Sequence, residues 1–299
     1  MATRVTLQLV EGTSSEIPRP PRPADKGDTE PSQYIPKGMS DKDKKALREA
    51  ALEWTDSLGG IMAQSYLPKR PAGVNMNHYR HGGGKDRTFG EGSVDELQDN
   101  LNPSGKATDN SVSSQFLSLI VREMKARGPG TRRYLARNAT FGSPNRGTNW
   151  FGVTAEGDTA WYYAVGSFMM SYGAHAVRSG KTTTIRYRLF IYDRYNWDVE
   201  DGISKEVKVP SSIEWALDED RIKAAEELQF NPYQKYFERI QNGEGYVVRD
   251  ALMGSLISTG DAANFDVVGA GTVHWVRYED SDPVPGTINA RETDSGTER

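Results

Sequence analysis

Apolar and polar side chains alternate most clearly between Ile185 and Tyr192. Ile185, Tyr187, Leu189 and Ile191 fall on one side of an extended chain, and Arg186, Arg188, Phe190 and Tyr192 on the other. This predicts a long strand. The aromatic and apolar segment Trp161 to Val177 precedes it, with Ser179-Gly180 at the turn, so the two together predict a β-hairpin bent at Gly166 or Gly173. Continued past Ile191, the period of two places Asp193, Tyr195 and Trp197 on one side, where an apolar row ends in a carboxylate, a phenol and an indole.

Helical spacing appears on either side of the first segment. Leu47, Ala50, Ala51, Trp54, Leu58, Ile61 and Met62 predict one helix, and Phe116, Leu119, Ile120 and Met124 a second over Val112 to Arg127, stopped by Gly128-Pro129-Gly130. Ser93-Val94-Asp95-Glu96 has the form of a capping box and opens a short helix ending near Asn100. Short strands are expected at residues 4 to 10, 203 to 209, 264 to 268 and 272 to 278. A helical block is expected from Ser211 to Asn242, and helix again from Val247 to Ile257. Strands without regular intervening helices argue for an α+β fold, an antiparallel, partly open β-barrel or sheet flanked by helices.

Residues 1–39, rich in proline, serine and charge, read as a disordered tether. Residues 40–279 read as a single domain, helical over 40–137 and β-rich over 150–278 with the helical insertion 211–242, and 280–299 as a disordered tail. The chain has 299 residues, 36% of them hydrophobic, enough for a sizeable core. With 37 basic and 41 acidic residues the net charge is −4, which argues against a surface built wholly for nucleic acid and leaves room for a local basic patch. The absence of cysteine excludes disulfides and thiolate metal sites. No run approaches the ~20 apolar residues of a membrane span, and no signal peptide is recognised. The expectation is a protein that stays in the cytoplasm of its producer or leaves by a non-classical route.

His78, His81 and Gly82-Gly83-Gly84-Lys85 invite a metal or phosphate reading. The third ligand, the preceding strand and the Ser or Thr after the lysine are missing, so a flexible loop is expected over Asn75 to Gly92. Arg132, Arg133, Arg137 and Arg146, interleaved with Tyr134, Phe141 and Trp150, form either a patch for nucleic acid or a solvated helix end.

Trp161-Tyr162-Tyr163-Ala164-Val165-Gly166, Asp193-Arg194-Tyr195-Asn196-Trp197-Asp198 and Gly260-Asp261-Ala262-Ala263-Asn264-Phe265-Asp266-Val267-Val268-Gly269 resemble a largely uncharacterised, toxin-like group common in actinobacteria, over roughly residues 75 to 278. More distantly, the six-residue ending is similar to the active segment of the colicin M type of bacteriocin. That family's open β-barrel cleaves the lipid-linked peptidoglycan precursor between lipid and pyrophosphate, usually with magnesium. Its motif is Asp-x-Tyr-Asp and, five residues on, His-Arg; here Asp193, Tyr195 and Asn196 fill the first part, and Gly202-Ile203 stands where His-Arg would. Ile257-Ser258 occupies the place where the actinobacterial group often has that pair.

The resemblance implies a toxin-like effector or bacteriocin-like cargo acting on a phosphate-containing envelope precursor. Residues 1–39 would load it into a secretion or injection device. Asp193, Tyr195, Asn196 and Asp198 would form the catalytic set, with Asp193 as base or Mg2+ ligand, and Arg188, Arg194 and Trp197 would meet the substrate. His175 or His274 would have to supply the missing imidazole. The competing expectations are a non-catalytic binding or structural protein of the same fold, in which Asp193 and Asn196 cap the strand and Tyr195 and Trp197 pack, and a nucleic-acid-binding or nuclease-like protein.

Overall fold

The computed structural model describes residues 3–23, 71–101, 111–155, 164–196, 206–209, 246–249 and 259–282, together with residues 40–42, 45, 48, 52, 161, 254, 256 and 257. In place of the single domain expected over 40–279, the chain divides into two compact units. The first is formed by Met1–Asp25, Arg87–Asp193 and Val267–Arg299, and the second by Lys26–Asp86 and Arg194–Asp266.

Most of an open, eight-stranded sheet lies in the first unit, with residues 194–195 and 265–266 of it counted in the second. Its strands are β1 (Val5–Val10), β2 (Arg87–Phe89), β3 (Gly130–Asn138), β4 (Phe151–Thr154), β5 (Ser167–Ser179), β6 (Thr182–Tyr195), β9 (Phe265–Ala270) and β10 (His274–Glu279). The order is β1-β3-β5-β6-β9-β2, with β4 also on β5 and β10 also on β6. The β5–β6 hairpin is as expected, turning at Gly180 with φ 56°. The α+β class holds, as a sheet that does not close into a barrel. It is mixed rather than antiparallel, because β2 joins β9 in parallel.

Among the described residues this unit carries the helices α2 (Glu91–Asp99) and α3 (Val112–Arg127). The Ser111 hydroxyl accepts from the Ser114 amide at 3.2 Å and starts α3, and Gly128 with φ 76° stops it, its N–H donating to the Met124 carbonyl. Phe116, Leu117, Ile120, Val121 and Met124 are buried, and Phe116 stacks on Tyr172 of β5 with centroids 6.3 Å apart. Each such side chain contributes roughly 1.5–3 kcal/mol when fully buried. Strand parity puts Tyr134, Ala136, Tyr172, Ala174, Ala176, Ile185, Leu189 and Ile191 on one face of the sheet.

Several expectations change. The Ser93 capping box does not cap: α2 starts two residues earlier, after Gly90 with no side-chain cap, and Asp95 instead accepts from the amide of Thr272 at 2.9 Å and from its hydroxyl. The range 40–137, expected to be helical, contains strands β2 and β3. The basic stretch is no helix end: Arg132, Arg133 and Arg137 lie on β3, where Tyr134 and Ala136 alternate into the core, and Arg146 lies in the turn region that follows. Trp161, Ala164 and Val165 are helical, and the long strand begins only after Gly166, whose φ is 52°.

The tether expected over 1–39 also changes. β1 pairs antiparallel with β3 as the sequence suggested, but residues 15–21 lie against the sheet with Pro18 and Pro20 buried. Their prolines fix an extended backbone that packs without needing strand partners. The tail expected from 280 starts ordered: Asp280 accepts from Arg178 at 2.7 Å and Asp282 from the Glu279 amide at 2.7 Å.

The range Asn75 to Gly92 is no simple loop, since Pro71–His81 of the second unit forms helix α1 and β2 and the start of α2 follow in the first. β7 (Glu206–Val209) pairs antiparallel with β8 (Tyr246–Arg249), so the helix expected from Val247 begins instead as a strand. The helical insertion 211–242, residues 24–39 and 283–299, and most of the helix expected over 47–62 lie outside the described residues.

Candidate functional site

The ending of β6 is where the sequence placed the chemistry. Asp193 closes the first unit's segment and Arg194 opens the second unit's. Asp193 is half-buried and engaged in interactions, as is Asn196, while Trp197 and Asp198 lie outside the described residues. Arg194 does not stand ready for phosphate: its Nη1 donates to a carboxylate oxygen of Asp266 at 2.8 Å, and Asp266 is buried. Tyr195, 7% exposed, stacks on Phe265 with centroids 4.9 Å apart and lies 5.9 Å from the Tyr79 ring. His78 meets the other side of this group, edge-on to Phe265 at 4.5 Å. These side chains form an aromatic core in the second unit, with a carboxylate–guanidinium pair at its edge.

Arg188 is not brought to Asp193. Five residues at roughly 3.3 Å each separate them along β6 by about 16 Å, on opposite faces. Arg188 is held elsewhere, donating to the Gly271 carbonyl at 2.8 Å through Nε and to Glu91 at 2.6 Å through Nη2. Neither histidine supplies the missing imidazole. His175 pairs with Arg186 and His274 with Tyr187, six or seven residues down the strand from Asp193, about 20 Å or more.

His78 and His81 lie in the last turn of α1, where Nε2 of His78 is 2.7 Å from the Lys85 carbonyl. This turns the glycine run back on the helix. Gly83 and Gly84 take φ values of 60° and 74°, open to glycine at little cost. Among the described residues no group of three His, Cys, Asp or Glu is close enough to hold a metal ion.

The arginines expected to form a basic patch are divided by strand parity. Arg132 points toward α3 and donates to the Gly128 carbonyl at 3.1 Å, closing the helix terminus. Tyr134 is 1% exposed, its hydroxyl 3.4 Å from Met124 Sδ, and burial pushes it up to about 12; it is core and offers no stacking platform. Arg137 donates to Gly147 at 3.0 Å, and Arg146 lies over the exposed Phe141 ring.

What the sequence reading missed is the sheet's other face. Arg133 of β3 is registered with His175 of β5, His175 with Arg186 of β6, and Arg186 with Trp275 of β10, a single row across four strands. Arg186 lies over the Trp275 ring at 5.2 Å, and Trp275 is 44% exposed. His175, buried between the two arginines, is held below its usual value by loss of solvent and then by the charges of Arg186 and Arg133. Beside this row Trp150, Phe190 and Tyr192 form an aromatic cluster packed with Met169 and Ile17. The signal was present in the alternation of Arg186, Arg188, Phe190 and Tyr192; only the register places Arg133, His175 and Trp275 beside them.

Compared with known proteins, the chain matches no family model, and no curated protein or solved structure matches it.

Proposed function

We propose that this chain is a non-catalytic binding protein that works through the arginine- and aromatic-bearing face of its large sheet. The observation that carries the reading is the row Arg133, His175, Arg186 and Trp275, in which guanidinium groups and an exposed indole converge on one surface. Such groups recognise carbonyl oxygens, anions and flat or apolar side chains without breaking bonds. The use of Arg194 and Tyr195 in an ion pair and an aromatic stack supports it further, because both belonged to the set that would orient a phosphate.

The competing reading is the one implied by the colicin M resemblance, cleavage of a lipid-linked peptidoglycan precursor with Asp193 as base or magnesium ligand. The test is incubation of the purified full chain with that precursor and Mg2+, beside expression of Asp193→Asn and of Arg186→Gln with Trp275→Ser in cytoplasm and periplasm. No precursor cleavage is expected, and any growth phenotype should be lost with the sheet-face substitutions and kept with Asp193→Asn. Magnesium-dependent cleavage abolished by Asp193→Asn would overturn the proposal.

A further inference from the structure

We infer that this sheet face is a recognition groove for proline-rich extended peptides, occupied within the chain by its own residues 15–21. The inference rests on the reading of the face as a binding surface and names its ligand class. The occupying sequence is Ser14-Ser15-Glu16-Ile17-Pro18-Arg19-Pro20-Pro21-Arg22-Pro23. Each proline fixes its own φ and drives the preceding residue to extended conformations, so the segment loses little further entropy on docking.

It is held as extended proline-rich chains are in general, in an aromatic-lined groove with side-chain donors to the main-chain carbonyls. Pro18 and Pro20 are buried, Ile17 packs on Trp150, Phe190 and Tyr192, and Arg19 lies over Phe190 at 5.6 Å. The Trp150 indole N–H donates to the Pro21 carbonyl at 2.8 Å, Arg133 Nε to Glu16 at 3.1 Å, and Arg186 to the Ser15 carbonyl. Three carbonyls are thus read by three side chains from separate parts of the chain. None of these donors reads a peptide side chain, so they match the backbone of any similarly spaced proline-rich chain.

The floor is shaped for the same occupant. A Cβ built on Gly173 would sit 2.2 Å from the Pro18 carbonyl oxygen and 3.1 Å from Ile17, so the sheet is hollowed where the segment crosses it. The backbone of Gly173 is ordinary strand, paired with Leu135 and Arg188, so the glycine provides space rather than an unusual dihedral. A proline-rich segment of another molecule would be taken by the same donors once residues 15–21 leave.

The test uses the full chain carrying Pro18→Ser, Pro20→Ser and Pro21→Ser, which keeps β1, and a fluorescently labelled peptide of residues 14–23. Anisotropy should show binding to this variant, at least about tenfold weaker binding to the unaltered protein because its own segment competes, and none after adding Gly173→Val. Trp150→Phe in the same background should weaken binding about tenfold. If the triple variant does not fold, Pro20→Ser alone takes its place. Absence of binding to the folded variant, equal binding of a peptide with serine for every proline, or binding indifferent to Gly173→Val would overturn the inference. Should the peptide fail while Arg186→Gln with Trp275→Ser still abolishes the growth phenotype, the ligand class falls and the binding reading stands; precursor cleavage lost in Asp193→Asn would remove the binding reading itself.

Discussion

Arg194 holds Asp266 through a 2.8 Å hydrogen bond from Nη1 to Oδ1, and the carboxylate is the more buried partner. Replacing Asp266 by Asn keeps the shape and leaves the guanidinium with a weaker acceptor in a half-buried place. A loss of roughly 1–3 kcal/mol is expected, less than for a fully buried pair. Urea unfolding of Asp266→Asn, Arg194→Gln and the double variant should give a double change smaller than the sum of the singles. Strict additivity would show that the pair is not a unit of the fold.

Gly269 makes a second prediction about packing. A Cβ there would sit 2.6 Å from Val94 of α2 and 3.0 Å from Ile191 of β6, so Gly269→Ala must displace one of these side chains or the helix that carries Val94. Overpacking of this kind costs about 1–3 kcal/mol. Val94→Ala removes the methyl group in the way, and the double variant Gly269→Ala with Val94→Ala should be more stable than Gly269→Ala alone, as read from thermal melts.

The hairpin β5–β6 and helix α3 were legible because period and punctuation agreed: alternation ending at Ser179-Gly180 for the one, Phe116, Ile120 and Met124 ahead of Gly128 for the other. The α+β class followed from them. β3 was hidden because its arginines mask the alternation that Tyr134 and Ala136 carry. The parallel pairing of β2 with β9 joins residues 180 apart, as in Arg87 with Val267, and no local pattern encodes it. The packed proline-rich segment was misread for a related reason: its composition lacks apolar side chains to form a core of its own, and the aromatic cluster of Trp150, Phe190 and Tyr192 that its Ile17 packs on comes from distant parts of the chain. The candidate site was legible only in part, since the period gives the faces of β6 while register alone aligns Arg133, His175, Arg186 and Trp275.

Asp280 gives a prediction on the acid side. Its carboxyl is held below the usual carboxylate value, first by the hydrogen bond from Arg178, which is itself buried and also donates to Thr183 at 3.1 Å. A lowered folded-state value means that the stabilisation is present above the unfolded value, near 4, and is lost as pH falls through the folded one. Asp280→Asn should therefore melt below the unaltered protein at neutral pH, and the difference should shrink as the pH is taken below about 4. A difference constant down to acid pH would mean that Arg178 does not depend on this charge.

His175 provides the opposite case and the most direct probe of the sheet face. Burial, then Arg186 on β6 and Arg133 on β3, lower its affinity for a proton, while in the unfolded chain the imidazole titrates near 6.5. As pH falls from about 7 the unfolded state takes up the proton first, so stability must decline from near pH 6.5 down to the folded-state value and then level off; raising the pH through the same window restores it. His175→Gln removes the group that titrates, so the variant's own stability profile should be flatter across this window than that of the unaltered protein. Arg186→Gln removes the larger of the two charge contributions and should leave a shallower decline than in the unaltered protein. Because Arg186 and Arg133 also donate to the carbonyls of Ser15 and Glu16, protonation of His175 places a third cation beneath the docked segment. Proteolytic cleavage within residues 14–23 should tell whether the segment responds: faster cleavage at pH 5.5 than at pH 7.5, with the difference absent in His175→Gln, is the expected result. Equal pH dependence in both proteins would separate the histidine from the segment and leave its effect confined to the sheet.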